Sequence, residues 1–321
     1  MGHRTQEGET GDTKVTYVGH GTVLIEMDGL RILTDPILKR WVGPLRRYGP
    51  LPDPTIHHGI DVVLISHQHL DHLDPVSLRL LPKSAVVIGP PLTGGTVHRV
   101  GFKTVVETRR DTALHLGGLE IVAVHARHTR RRWILGSPTE PLGFIVHGSS
   151  TVYFAGDTGL FEGMDELHER IDLALLPIET WGVRPPEGRH LSPRTAAHAL
   201  SLLHPRIAVP IHWGTLYLPG SAYAGKEATY AWFQRTRKRP EEFAALAAEM
   251  APDVDVRLLA PGESLSLQPA RDGLASVLEN APAPAQEGAP RPALGRPKAA
   301  RGEATRDAPE AEERRQAEDA G

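Results

Sequence analysis

Three imidazoles and a carboxylate fall within the run Ser66-His67-Gln68-His69-Leu70-Asp71-His72. The run follows directly on the apolar stretch Val62–Ile65, which reads as a strand buried on both faces. Alternate residues of extended backbone share a side, so His67 and His69 point together. Asp71 can join them where the chain turns, and His72 points differently and can serve a second centre. Such a set suits zinc or a similar ion. Further ligands must come from elsewhere in the chain, so the fold has to deliver several strand ends to one place.

Candidates for those ligands stand at strand ends. Asp157 lies in Gly156-Asp157-Thr158-Gly159, just after the apolar strand Val152–Ala155. The glycines allow a tight turn that presents the carboxylate, and one carboxylate can bridge two cations about 3.5–4 Å apart. His212 follows the apolar run Ile207–Ile211. The segment Val124-His125-Ala126-Arg127-His128-Thr129 offers two histidines. Strand alternation does not choose between them, and a ligand placed in the loop past the strand favours His128 over His125. The chain has 17 His and no Cys, which excludes thiolate zinc sites, iron–sulfur clusters, disulfides and a cysteine nucleophile.

Around these motifs the chain divides into three parts. Residues 1–13 read as a flexible N-terminus, 14–267 as the folded body and 268–321 as a disordered tail rich in Ala, Pro and charge. The tail has no aromatic residue and only Leu274, Val277, Leu278 and Leu294 as large aliphatics, too little apolar surface to offset the entropy of ordering it. The body opens as a meander, Lys14–Val18, Thr22–Met27 and Leu30–Thr34, with Asp28-Gly29 as a hairpin turn. Helices are predicted over Pro75–Leu81 behind an Asp74 cap, Phe161–Arg170, Ser192–Leu203, Lys226–Arg237 and Pro240–Met250. Many strands with interspersed helices imply an α/β (α+β) domain of sheets covered by helices. The formal net charge of −3 gives no support to a polycation that coats nucleic acid or membrane. No apolar run approaches 18 residues, so no transmembrane segment is expected. The polar start MGHRTQEGETGDTK lacks the apolar stretch of a secretory signal, so a cytoplasmic location is expected.

Taken in order, Thr34-Asp35-Pro36, His67-x-His69-x-Asp71-His72, His128, Gly156-Asp157-Thr158-Gly159 and His212 resemble the motifs of the metallo-β-lactamase-fold metallohydrolases. Within them the chain looks like the branch of N-acylphosphatidylethanolamine phospholipase D and the ascorbate-6-phosphate lactonases. That likeness rests on Tyr17-Val18-Gly19-His20-Gly21-Thr22-Val23-Leu24-Ile25, Tyr153–Gly159 and His212-Trp213-Gly214-Thr215-Leu216. His125 stands where the branch often has proline, and Thr129–Pro141 is short beside the phospholipase. The resemblance implies a four-layer αββα sandwich and two divalent ions, zinc first, with manganese or iron as alternatives. It implies that His67, His69 and His128 hold one metal, that Asp71, His72 and His212 hold the other, and that Asp157 bridges them. Asp35 would orient the loop, and His190 and His20 would lie near the site, His190 as a hydrogen-bond or proton donor.

Such a centre implies a hydrolase in which a metal-bound hydroxide attacks a phosphodiester or a lactone or ester, with Asp71 orienting the nucleophile. Arg130, Arg131, Arg132, Arg184 and Arg189 could pair with a substrate phosphate or carboxylate. Trp133, Trp181, Trp213 and Tyr217 could wall a pocket. The expected partner is a small or lipid-like substrate, not nucleic acid. Other readings are a nuclease, which would want an added basic module, a true β-lactamase, which would want an export signal, and a non-hydrolytic metal-binding or redox member.

Overall fold

The computed structural model describes residues 12–128, 139–167, 170–179, 188–219, 236 and 238–268. The tail, most of the N-terminal segment, Arg130, Arg131, Arg132, Trp133, Trp181, Arg184 and nearly all of the helix expected over Lys226–Arg237 lie outside the described residues.

Two seven-stranded sheets form the body. The first contains β1 (Thr13–Gly19), β2 (Thr22–Met27), β3 (Leu30–Thr34), β6 (Val62–Leu64), β7 (Val86–Gly89), β8 (Thr104–Glu107) and β17 (Ser264–Leu267), in the order β17-β1-β2-β3-β6-β7-β8. The second contains β9 (Thr112–Leu116), β10 (Leu119–His125), β11 (Leu142–His147), β12 (Thr151–Phe154), β13 (Leu173–Pro177), β14 (Ile207–Ile211) and β16 (Asp255–Val256), in the order β16-β14-β13-β12-β11-β10-β9. Each sheet is antiparallel in one half and parallel in the other. β3, β6, β7 and β8 pair in parallel, as do β12, β13, β14 and β16.

The strands' alternation explains the layering. Val15, Tyr17, Ile25, Ile32 and Leu64 of the first sheet meet Ile121, Phe144, Phe154, Leu175 and Val209 of the second in one buried core. The opposite faces are apolar too. Val18, Leu24, Leu33, Val63 and Ile65 pack with Leu78 and Val97, from the short helices α1 (Pro75–Leu78) and α2 (Gly94–Arg99). Tyr153, Ala174 and Leu176 pack with Ala196, Leu200 and Phe243, from α3 (Pro193–Leu203) and α4 (Arg239–Met250). A sheet apolar on both faces must be covered on both, and the result is an αββα sandwich.

Several local expectations hold for stated reasons. Asp74 caps α1 by accepting from the amides of Val76 and Ser77. Ser192 and Thr195 form a reciprocal capping box at the start of α3, with Pro193 at the first helical position. Two helices are corrected. α1 ends at Leu78 and continues to Leu81 only as tighter turns, since Pro82 cannot extend it. Phe161–Arg170 is not a helix among the described residues. It holds a single 3₁₀ turn at Met164–Glu166, entered through Gly163 at φ +81°, which breaks the helical run. A small third sheet, in the order β15-β5-β4, joins β4 (Trp41–Val42), β5 (Leu45–Arg47) and β15 (Leu216–Tyr217) and was not expected.

Candidate metal centre

Four strand ends meet at one edge of the sandwich. β6 runs into Ser66 and His67, β10 into His128, β12 into Asp157 and β14 into His212. β12, β13 and β14 are parallel, so their C-terminal ends lie together and the loops that follow share one space. Gly156, at φ +59°, allows a close approach: a Cβ there would stand 2.6 Å from the Ser66 Cβ.

The first group is a triangle of ring nitrogens. His69 Nδ1 lies 2.9 Å from His67 Nε2 and 3.1 Å from His128 Nε2. The outer nitrogens decide where the protons sit. Asp35 accepts the Ser66 hydroxyl proton at 2.5 Å, so Ser66 Oγ must accept from His67 Nδ1 at 2.9 Å. His128 Nδ1 donates to the Arg189 carbonyl at 3.1 Å. Both Nε2 atoms therefore present lone pairs toward His69, whose single Nδ1 proton would have to be shared between them. Ligand nitrogens about 2.0–2.1 Å from a tetrahedral zinc ion stand about 3.3–3.4 Å apart, so the triangle is within about 0.4 Å of the size of a three-histidine metal site.

The second group is Asp71, His72 and His212. Asp71 Oδ2 lies 3.7 Å from His72 Nε2 and 4.0 Å from His212 Nε2. His72 Nδ1 donates to Asp35 Oδ2 at 2.7 Å, and His212 Nδ1 to the Glu179 carbonyl at 2.9 Å. These outer bonds fix both rings with Nε2 inward. Asp157 stands between the groups. Its Oδ1 is 3.2 Å from His212 Nε2, and its Oδ2 is 3.4 Å from His72 Nε2 and 3.9 Å from His128 Nε2. His72 Nε2, His212 Nε2 and Asp157 Oδ1 are buried without a hydrogen-bond partner. Leaving three such atoms unsatisfied is costly, and a cation among them would satisfy all three.

Electrostatics agree with this. Burial, reinforced by the neighbouring rings, pushes His67 well below the usual histidine range, and burial lowers His128 to about 4. Burial would raise Asp71 and Asp157, but the surrounding histidines outweigh it and hold both well below the ordinary carboxylate range. His72 goes the other way: burial opposes its charge, yet Asp157, Asp35 and Asp71 hold its imidazolium well above the usual range. Neutral rings facing ionised carboxylates are the protonation state that metal ligation requires, and the one proton kept on His72 is what a cation would displace.

The remaining expected residues fall around this centre. His190 is half-buried, with Nδ1 3.9 Å from Asp157 Oδ2 and its ring 4.5 Å from that of His128. His20 is buried against the second group: its Nε2 is 3.1 Å from Asp71 Oδ2 and its ring 3.9 Å from that of His212. Burial, and then His212, lowers His20 to about 3, so it stands neutral and donates Nε2–H to Asp71. His125 lies apart from the ligand groups, with Nδ1 3.7 Å from Glu140. Trp213 stacks on Tyr17 in the core and donates to the Pro210 carbonyl at 3.0 Å. His20, Asp35 and His212 all have positive φ, at +60°, +32° and +58°, a region non-glycine residues seldom occupy. Backbone strain of this kind clusters at functional sites. The carbonyls of Glu179 and Arg189 had no signature in the sequence, because any residue supplies a backbone acceptor.

Comparison with known proteins places this geometry in a family. A family model described as the beta-lactamase superfamily domain matches residues 30–213. A metal-dependent hydrolase of Methanopyrus kandleri is 33% identical over 260 residues, covering 78% of this chain and 98% of the relative. One from Rubrobacter xylanophilus is 31% identical over 268 residues, covering 79% and 97%. Among solved structures, a metallo hydrolase from Ignicoccus hospitalis superposes with a TM-score of 0.59 at 25% identity, covering 80% of this chain and 99% of that one. Sequence, sandwich and histidine–aspartate edge agree, and the chain belongs to the β-lactamase superfamily as a metal-dependent hydrolase with the metallo-β-lactamase fold.

Proposed function

We propose that this hydrolase is binuclear, using two divalent cations, zinc foremost, to open a phosphodiester or a lactone or ester bond. His67, His69 and His128 would hold one ion, Asp71, His72 and His212 the other, and Asp157 would serve both. The observation that carries this reading is the position of Asp157: Oδ1 stands 3.2 Å from His212 and Oδ2 3.4 Å from His72 of one group, while the same Oδ2 lies 3.9 Å from His128 of the other. Two cations so held supply a water nucleophile ionised near neutral pH and polarise the electrophilic oxygen.

The protein's own groups do the rest. Asp71, fixed by His20, orients the nucleophile and takes up its proton. His190 has a ring nitrogen beside Asp157 and is placed to donate a proton to the leaving oxygen. The test is metal analysis of the purified protein together with turnover of generic phosphodiester, lactone and thioester substrates. Two equivalents of metal, with activity on one class that disappears in His69→Ala, would support the reading. A fully metallated protein inactive on all three classes would contradict it.

A further inference from the structure

On the far side of His128 the metal centre adjoins a cavity of about 240 Å³ whose walls include His125, Arg127, Glu140 and Arg189. That is just below the range of drug-sized ligand pockets, so the space suits a small group. Its two arginines are tied to the segments that carry the ligands. The Arg127 amide donates to Thr158 Oγ1 at 2.9 Å, and its carbonyl accepts from the Gly159 amide at 2.9 Å, two positions beyond Asp157. The Arg189 carbonyl accepts from His128 Nδ1 at 3.1 Å. The guanidinium of Arg127 is itself held, donating from Nη1 to the Leu160 carbonyl at 3.0 Å. Its Nη2 lies against Gly188, where an added Cβ would stand 3.4 Å from it, so this cation sits beside the backbone that leads into Arg189.

The charges on the walls do not cancel. Glu140, the acidic residue of the walls, faces His125 of the same wall, with Oε1 3.7 Å from its Nδ1, and stands 3.9 Å from Arg110 Nε, so one carboxylate is set against two guanidiniums. Among the described residues neither Arg127 nor Arg189 meets a carboxylate. Two guanidiniums are thus left over in a concave site that shares His128 with the metal centre. Guanidinium forks match the planar oxygens of carboxylates and phosphates, and charge-assisted bonds to them are about twice as strong as neutral ones.

We propose that Arg127 and Arg189 bind an anionic group of the substrate, a carboxylate or a phosphate separate from the bond that is cleaved. Resting on the hydrolase reading above, this makes the substrate a small acid whose scissile ester, lactone or phosphodiester lies over the metals while its anionic end fills the arginine pocket. A neutral ester of the same size would lack that anchor.

The test is calorimetric binding of benzoate, phenyl phosphate and benzyl alcohol to the zinc-loaded full chain, in wild type, Arg189→Met and Arg127→Met/Arg189→Met. Zinc content and melting temperature are checked for each variant. Wild type should bind at least one anion at least about tenfold more tightly than benzyl alcohol, and whichever anion is preferred identifies the group. The double variant should lose about tenfold or more in that affinity, as expected for removal of charge-assisted hydrogen bonds. Arg189→Met alone should lose about threefold, and it serves if the double variant fails to fold, because no hydrogen bond of the described structure uses the Arg189 guanidinium. Anion affinity unchanged in these variants, or no preference over the alcohol in wild type, would overturn the proposal. Arginine-dependent binding in a protein that turns over no ester or phosphodiester would count against the hydrolase reading alone. Turnover by wild type with anion affinity indifferent to the arginines would count against the pocket alone.

Discussion

Asp35 Oδ2 lies 2.7 Å from His72 Nδ1. The other oxygen of the same carboxylate accepts the Ser66 amide at 2.7 Å, so one buried side chain grips the ligand loop at both ends. It also decides the tautomers of two rings, His72 directly and His67 through the Ser66 hydroxyl.

Asp35→Asn tests that control. The amide nitrogen would face the Ser66 hydroxyl and His72 Nδ1, placing a donor against a donor and favouring the His72 tautomer whose inner nitrogen carries the proton. Zinc affinity, measured by competition with a chromophoric chelator, should fall about 10–100-fold, the usual cost of losing a carboxylate that orients a ligand histidine. An affinity equal to wild type would mean that the outer bond does not fix the ring.

His20 stands toward Asp71 much as Asp35 stands toward His72. His20→Ala removes the Nε2–H that Asp71 Oδ2 receives at 3.1 Å. The expected result is a kcat lowered about 10–100-fold. His20→Gln, which keeps a donor, should recover part of the loss. Loss of kcat with no recovery in the glutamine variant would point to packing against His212 instead.

Gly156→Ala should destabilise the protein. The new Cβ would collide with Ser66, and φ +59° is strained for alanine. Overpacking and backbone strain together cost about 2–4 kcal/mol, read in a thermal melt as a drop of roughly 5–12 °C. A melting temperature within about 1 °C of wild type would mean that the two ligand loops are less closely packed.

How much of this was readable beforehand varies with the kind of signal. Strands apolar along their whole length, such as Val62–Leu64 and Ile207–Ile211, and the Ser192-Pro193 cap were legible because burial and capping leave side-chain signatures. The gathering of His67, His69, Asp71, His72, His128, Asp157 and His212 followed from ligand chemistry at strand ends. Phe161–Arg170 misled because its apolar residues fill the edge of the core around a left-handed glycine, and apolar spacing alone does not reveal such a break. The hairpin at Trp41–Arg47 pairs with Leu216–Tyr217 from the far end of the body, and pairing at that separation has no local mark. The role of His20 needed its +60° φ and its distance to Asp71, neither of which a sequence displays.

Acid should weaken the metal-free protein. The folded-state values of His128, about 4, and His20, about 3, are depressed by burial below the free value of 6.5. Below about 6.5 the unfolded chain binds protons that the folded chain refuses. The stability these neutral rings contribute is therefore complete above that pH and is lost as pH falls through the folded values. His72, raised well above the usual range, keeps its proton in the folded state while the unfolded chain takes one up only near and below 6.5, so it adds a smaller slope of opposite sign near neutrality and none at lower pH. Urea unfolding of chelator-treated protein should give a lower stability at pH 4.5 than at pH 7, with His128 alone accounting for about 2 kcal/mol. Equal stability at both values would contradict the burial of neutral histidines.

Anomalous diffraction at the zinc edge from crystals of the zinc-loaded protein is the most direct measurement of the binuclear centre. Two peaks are expected, one among His67, His69 and His128 and the other among Asp71, His72 and His212, each in contact with an oxygen of Asp157. A single peak, or two peaks of which one has no contact with Asp157, would contradict it.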